Sequence, residues 1–203
     1  MTAGYDVPAE PGDAEISVRH SRFVARAERA ASRAEAMAAV ARAEQAHPRA
    51  RHHCWAFWAG DPGAGEAGSS DDGEPSGTAG RPILEVIQHH GMGDVVIVVS
   101  RYFGGIKLGA GGLIRAYARA GQAVLSQVPV ARYQPHCLAE LTLDFAHEHA
   151  VRQWLNGRSG AVEAVAYAQG VTMRLSVPLS DMDALSAFCD ARGITCEPLE
   201  RFD

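Results

Sequence analysis

Apolar and polar positions alternate from Ile16 to Ala25, with Phe23 and Val24 inside the run, which predicts a β-strand after a disordered leader over residues 1–15. Ser32 followed by Glu35 has the spacing of a capping box ahead of an alanine-rich helix, which His47-Pro48 ends. Arg51 to Ala59 reads as a second strand with large side chains at both parities, the pattern of a central strand covered on both faces. Gly60 to Gly80 is rich in Gly, Ser, Asp and Pro and predicts a long loop with no regular element. Pro82 then opens a short helix, Ile83 to His90. Val95 to Val99 is strand-like. A glycine-rich run follows it and leads into a helix from Leu113 to Gln127, whose apolar side uses Leu113, Ile114, Tyr117, Val124 and Leu125.

Past Val128-Pro129 the pattern reads strand (Leu138 to Phe145), helix (His147 to Leu155), strand (Val162 to Ala168), a Gln169-Gly170 turn, strand (Val171 to Val177), helix (Ser180 to Ala191) and strand (Ile194 to Leu199). That order, βαββαβ, predicts a ferredoxin-like domain. Ser180 with Asp183 is expected to cap its second helix, and Gly193 to end it. The expected class is α+β, with a first domain over residues 16–130 and a second over 135–203. About 68 residues make a small core, so the second domain is expected to dock on the first.

Length and composition change this little: 203 residues, 47% of them hydrophobic, describe an ordinary globular chain. No apolar run approaches the ~20 residues of a membrane span, and the polar, acidic start is unlike a signal peptide. A cytoplasmic protein without membrane contact is expected. Cys54, Cys137, Cys189 and Cys196 contain no C-x-x-C pair, and read as buried thiols rather than a zinc ribbon or disulfide framework.

Charge changes the picture more. The formal net charge is −5, yet residues 95–139 contain no Asp or Glu and hold Arg101, Lys107, Arg115, Arg119 and Arg132. Within this basic stretch lie Gly104, Gly105, Gly109, Gly111 and Gly112, directly ahead of a helix. Glycines let backbone approach a ligand closely, and the free N–H groups of a helix start carry about half a positive charge. An anion site is predicted there. Lys107 is the only lysine, against eighteen arginines, which points to a need for a compact ammonium. For an RNA ligand, Arg101, Lys107, Arg115 and Arg119 are the expected phosphate contacts, with Tyr102 or Phe103 as a ring for base stacking.

The second chemical candidate is the loop D-D-G-E-P-S-G-T-A-G, where Asp71, Asp72 and Glu74 set three carboxylates close together. They could hold Mg²⁺ for an enzyme acting on a phosphorylated small molecule, with Lys107 steadying the phosphate. Equally, they could cap a helix, form turns or pair with arginines. The glycine run is neither a Walker A sequence nor G-x-G-x-x-G, since Ile114 stands where the last glycine belongs. His53 and Cys54 have the residue types of a base and a thiol nucleophile, but neighbours on a strand face opposite ways, so Cys54 would need His89 or His90 folded close. His52-His53 with His89-His90 lack metal-ligand spacing. No catalytic residue, metal or cofactor is assigned.

D-D-G-E-P-S-G-T-A-G-R-P-I-L at Asp71 to Leu84, followed by R-Y-F-G-G-I-K-L-G-A-G-G-L-I-R-A-Y at Arg101 to Tyr117, closely resembles the YigZ/IMPACT family. The similarity reaches upstream to His53 to Phe57 and downstream to the C-terminal domain. It implies a first domain of the βαβ superfold shared with domain four of elongation factor G, and a ferredoxin-like second domain resembling domain five of that factor. Eukaryotic relatives are translational regulators that restrain activation of an initiation-factor kinase and carry an added RWD domain. Here about fifteen residues precede the first expected strand, so that domain is expected to be absent and the kinase role is not carried over. The resemblance implies translation-associated regulation, with RNA or a ribosome-linked partner.

Overall fold

The computed structural model describes residues 4–202. Its first unit, Tyr5–Tyr133, runs β1 (Tyr5–Pro8), β2 (Gly12–Val18), β3 (Ser21–Arg29), α1 (Arg33–Ala46), β4 (His52–Ala59), β5 (Glu66–Ser70), α2 (Gly80–His90), β6 (Val95–Tyr102), α3 (Ala110–Leu125) and β7 (Val130–Tyr133). Five strands form one antiparallel sheet in the order β2-β3-β6-β4-β5. Because β3 and β4 both pair antiparallel with β6, they run parallel to each other, and β3, α1 and β4 make a split βαβ unit. The apolar run seen at Val95 is the middle strand, covered on both faces as its composition demands. Val95, Ile97 and Val99 pack under α2 and α3, while Val96 and Val98 pack under α1. β4 is also covered on both faces, but sits one place from the edge rather than at the centre.

Ser32 begins α1 as expected, its hydroxyl accepting from the Glu35 N–H at 3.2 Å. The Glu35 carboxylate reaches back to the Ala31 N–H rather than to that of Ser32. Ile114 departs from expectation, being 41% exposed. Leu113, Ala116, Tyr117 and Ala120 set the buried stripe of α3, and Ile114 lies a hundred degrees round the helix from Leu113.

The leader expected over residues 1–15 is structured where it is described; residues 1–3 lie outside the described residues. β1 pairs with β7, and β2 pairs with β3 through a two-residue turn, Arg19-His20. Tyr5 is anchored by its hydroxyl donating to the buried Asp94 at 3.2 Å, and burial pushes its pKa up. The expected loop over residues 60–80 also contains a strand. β5 pairs through its backbone with β4, and a Cβ on Gly68 would stand 2.6 Å from the Phe57 ring, so the glycine there serves close approach.

The second unit comprises β8 (His136–Leu143), α4 (Glu148–Leu155), β9 (Ala161–Tyr167), β10 (Val171–Pro178), α5 (Met182–Asp190) and β11 (Thr195–Phe202). Its sheet order, β11-β8-β10-β9, is that of a ferredoxin-like βαββαβ fold. Burial alternates along β8, where Cys137, Ala139, Leu141 and Leu143 are buried, as period-two side chains require when helices cover one face only. The expected Ser180–Asp183 cap does not form. A 3₁₀ turn over Leu179–Asp181 comes first, so α5 starts at Met182 and Ser180 bonds to Asp181 instead. Gly193, at φ +66°, follows the end of α5 as expected.

Candidate anion-binding site

Strand periodicity decides the fate of the first candidate. Arg101 shares a parity with Val95, Ile97 and Val99, so its side chain enters the core beneath α3 and is 6% exposed. There Arg101 Nη1 donates to Glu74 Oε1, the same oxygen that accepts from Tyr117 Oη at 2.8 Å. The Phe23 and Phe103 rings lie 5.5 and 5.7 Å from its guanidinium carbon. Arg101 is therefore a buried structural cation and not a phosphate contact. Tyr102 is committed as well: its hydroxyl lies 3.0 Å from His47 Nδ1, and the Arg22 guanidinium covers its ring at 4.4 Å. Phe103 is 44% exposed and is the more open of the two rings.

The three carboxylates do not converge on one point. Asp71 accepts from the amides of Gly77, Ala79 and Gly80 at 2.7, 2.9 and 2.8 Å. It folds the loop back on itself and caps α2 from nine residues upstream. Burial opposes its charge, but the three amides outweigh burial and hold the carboxyl below its ordinary value. Asp72 accepts from the His53 N–H at 2.5 Å, and Glu74 is spent on Arg101 and Tyr117. Among the described residues no group of three His, Cys, Asp or Glu could hold a metal. The Mg²⁺ arrangement is thus replaced by the cap, turn and ion-pair roles.

Cys54 Sγ lies 3.0 Å from Asp71 O and 3.3 Å from Tyr117 Oη, and burial pushes its thiol up to about 12. Such a thiol is a poor nucleophile near neutrality. His53 sits on the other face of the sheet, 2.9 Å from Ser100 Oγ, with its pKa lowered by burial. His89 and His90 instead line a groove of about 650 Å³ between α2 and α3, beside Glu85. Glu85 and no Arg or Lys lines that groove, so its lining is less cationic than that of the cavity beside the glycine loop.

The glycine loop does provide a cationic concavity. Gly104 passes so close to the β2–β3 turn that a Cβ there would stand 2.0 Å from the His20 carbonyl carbon, and its N–H donates to Ser21 Oγ at 3.2 Å. This contact fixes the turn beside the start of α3. Between them lies a cavity of about 310 Å³, lined by Val18, Leu108, Gly112 and Ala116 together with Arg19, Arg115 and Arg119. Gly105 and Gly109 have positive φ, and Gly109 precedes α3 with no side-chain cap and no acid in the first turn. Gly111 is exposed beside Arg115. Lys107 is exposed on the adjoining loop, outside the cavity lining. Eleven of the eighteen arginines pair with carboxylates, whereas Arg19, Lys107, Arg115 and Arg119, like Arg49, Arg51 and Arg192, make no ion pair among the described residues. Arg19 was not among the residues expected from sequence. The signal lay in Ala14, Ile16, Val18 and then Ser21, Phe23, Ala25, two alternating runs broken by two polar residues, as a hairpin would be.

Gly104→Ala tests the contact between loop and turn. The new methyl meets backbone that cannot rotate away, so a loss of about 1–3 kcal/mol is expected in urea unfolding, as for overpacking elsewhere. An unchanged midpoint would show that the loop does not need this approach.

A family model described as the Impact N-terminal domain matches residues 19–125, and one described as a domain of unknown function (DUF1949) matches 141–188. The chain is 35% identical to the IMPACT family member YigZ of Escherichia coli over 184 residues, 89% of each chain. It is 33% identical to the IMPACT family member YvyE of Bacillus subtilis, covering 92% of this chain and 85% of that one. A crystal structure described only as that of a hypothetical protein superposes with a TM-score of 0.72 at 31% identity, covering 98% of this chain and 99% of the other. The residues that knit the glycine loop to the acidic loop fall inside the first matched region, and with a model over more than half its length and such relatives along most of it, the chain belongs to the IMPACT family.

Proposed function

We propose that the chain acts in translation-associated regulation by binding single-stranded RNA through the arginine cavity and the exposed glycine loop. Family membership supports the regulatory role at its coarsest; the RNA ligand is argued from the site. One observation carries it: Arg19, Arg115 and Arg119 share a concavity with no acidic residue in its lining. Lys107 and Phe103 flank it as a further cation and a stacking surface. Residues 134–203 hold ten carboxylates and five arginines, a charge balance that favours the first unit as the one that attracts an anion.

Titration of a labelled single-stranded RNA at several salt concentrations tests the reading. Four phosphate contacts give a log–log salt slope near −2.8, about a fiftyfold loss of affinity between roughly 50 and 200 mM salt. Arg115→Ala and Lys107→Ala should each flatten that slope by about 0.7. Phe103→Ala should weaken binding by about tenfold with the slope unchanged. If neither cation substitution alters affinity or slope, RNA is not held here.

A further inference from the structure

We propose that the arginine cavity takes a terminal phosphate monoester of the RNA strand in preference to an internal diester; this rests on the RNA reading above and deepens it. Three arginines line one space of about 310 Å³, Arg19 from the β2–β3 turn and Arg115 and Arg119 one turn apart on α3. Each guanidinium is a planar fork that engages phosphate oxygens in pairs. An internal diester offers two non-bridging oxygens and a single negative charge. A terminal monoester offers three oxygens and carries about −1.5 to −2 near pH 7. Three forks suit the three-oxygen group better, and three cations with no carboxylate in the lining favour the higher charge.

The start of α3 adds to this preference. The first backbone N–H groups after Gly109 have no intrahelical acceptor, no acid stands in that turn, and no side chain caps it among the described residues. Gly112, in that first turn, forms part of the cavity wall. Arg115 and Arg119 repel each other at i,i+4, and Arg19 increases that repulsion, which a bound dianion reverses. The volume is at the small end of ligand pockets, about 300–1,000 Å³. It suits a phosphate with its sugar rather than a length of strand.

The test compares three single-stranded RNAs of one sequence, carrying a 5′-phosphate, a 3′-phosphate or hydroxyls at both ends, against the full chain at fixed salt. At least one phosphorylated strand should bind about tenfold more tightly than the hydroxyl strand. Arg19 lies at φ +46° and His20 at φ +65°, conformations glycine adopts without strain. Arg19→Gly therefore removes the guanidinium without burdening the fold, and should erase the difference, whereas His20→Gly should keep it. Equal binding of all three strands, still weakened by Arg115→Ala, would leave the RNA reading standing and overturn the monoester preference. A preference that survives Arg19→Gly would overturn the assignment to this cavity, and no binding of any strand would overturn both readings.

Discussion

Glu74→Ala is expected to destabilise the first unit by about 3–5 kcal/mol, because it leaves Arg101 charged, buried and without its carboxylate. Arg101 is poorly placed to tolerate the loss, since its buried Nε already has no hydrogen-bond partner among the described residues. Tyr117 would lose its acceptor in the same step. The expected fall in melting temperature is on the order of 10–15 °C. Arg101→Met should be comparably harmful, as it strands Glu74. The double variant Glu74→Met with Arg101→Met should recover much of the loss, because apolar groups of similar volume often replace a buried ion pair at little cost. A single substitution that melts with the wild-type chain would mean that Glu74 and Arg101 do not hold the acidic loop to β6.

The second large effect is expected at Asp71. Three charge-assisted hydrogen bonds converge on its carboxylate, each worth about 1.5–3 kcal/mol when measured singly and less than additive together. Asp71→Ala should cost on the order of 3 kcal/mol and free the turn over residues 77–80. Hydrogen exchange reads this directly: the amides of Gly77, Ala79 and Gly80 should lose about a hundredfold of protection if opening becomes local. Asp71→Asn keeps one carbonyl oxygen for Ala79 and Gly80 but sets an NH₂ against the Gly77 N–H, and should fall between the two. The folded carboxyl titrates below its ordinary value of 3.8. The wild-type advantage over Asp71→Asn is therefore complete above that value and disappears as pH falls through the depressed folded pKa. An advantage that grew in acid would contradict the hydrogen-bonded carboxylate.

Side-chain periodicity made much of this architecture legible. The strands of the second unit are legible from alternation, because helices cover one face of its sheet and leave polar residues on the other, as Glu140 and Arg174 show by pairing across β8 and β10. Where main-chain pairing or distant contacts decide, local pattern failed. Glu66 to Ser70 has almost nothing apolar to bury and becomes a strand because β4 offers it a partner. Arg101 looked like a ligand contact because no acid lies near it in the chain; its counterion comes from the other motif, 27 residues upstream. Arg19 carries no local signal for the same reason, since close to a hundred positions separate it from the arginines it joins.

That separation has a thermodynamic consequence. The cavity's walls come from the β2–β3 hairpin, the glycine loop and the last helix of its unit, so an unfolded chain presents only scattered cations, and a nascent one has no cavity until α3 has been synthesised. Ligand occupancy and cooperative folding are therefore linked: a solute present at about a hundred times its Kd would raise the unit's stability by about 2.7 kcal/mol.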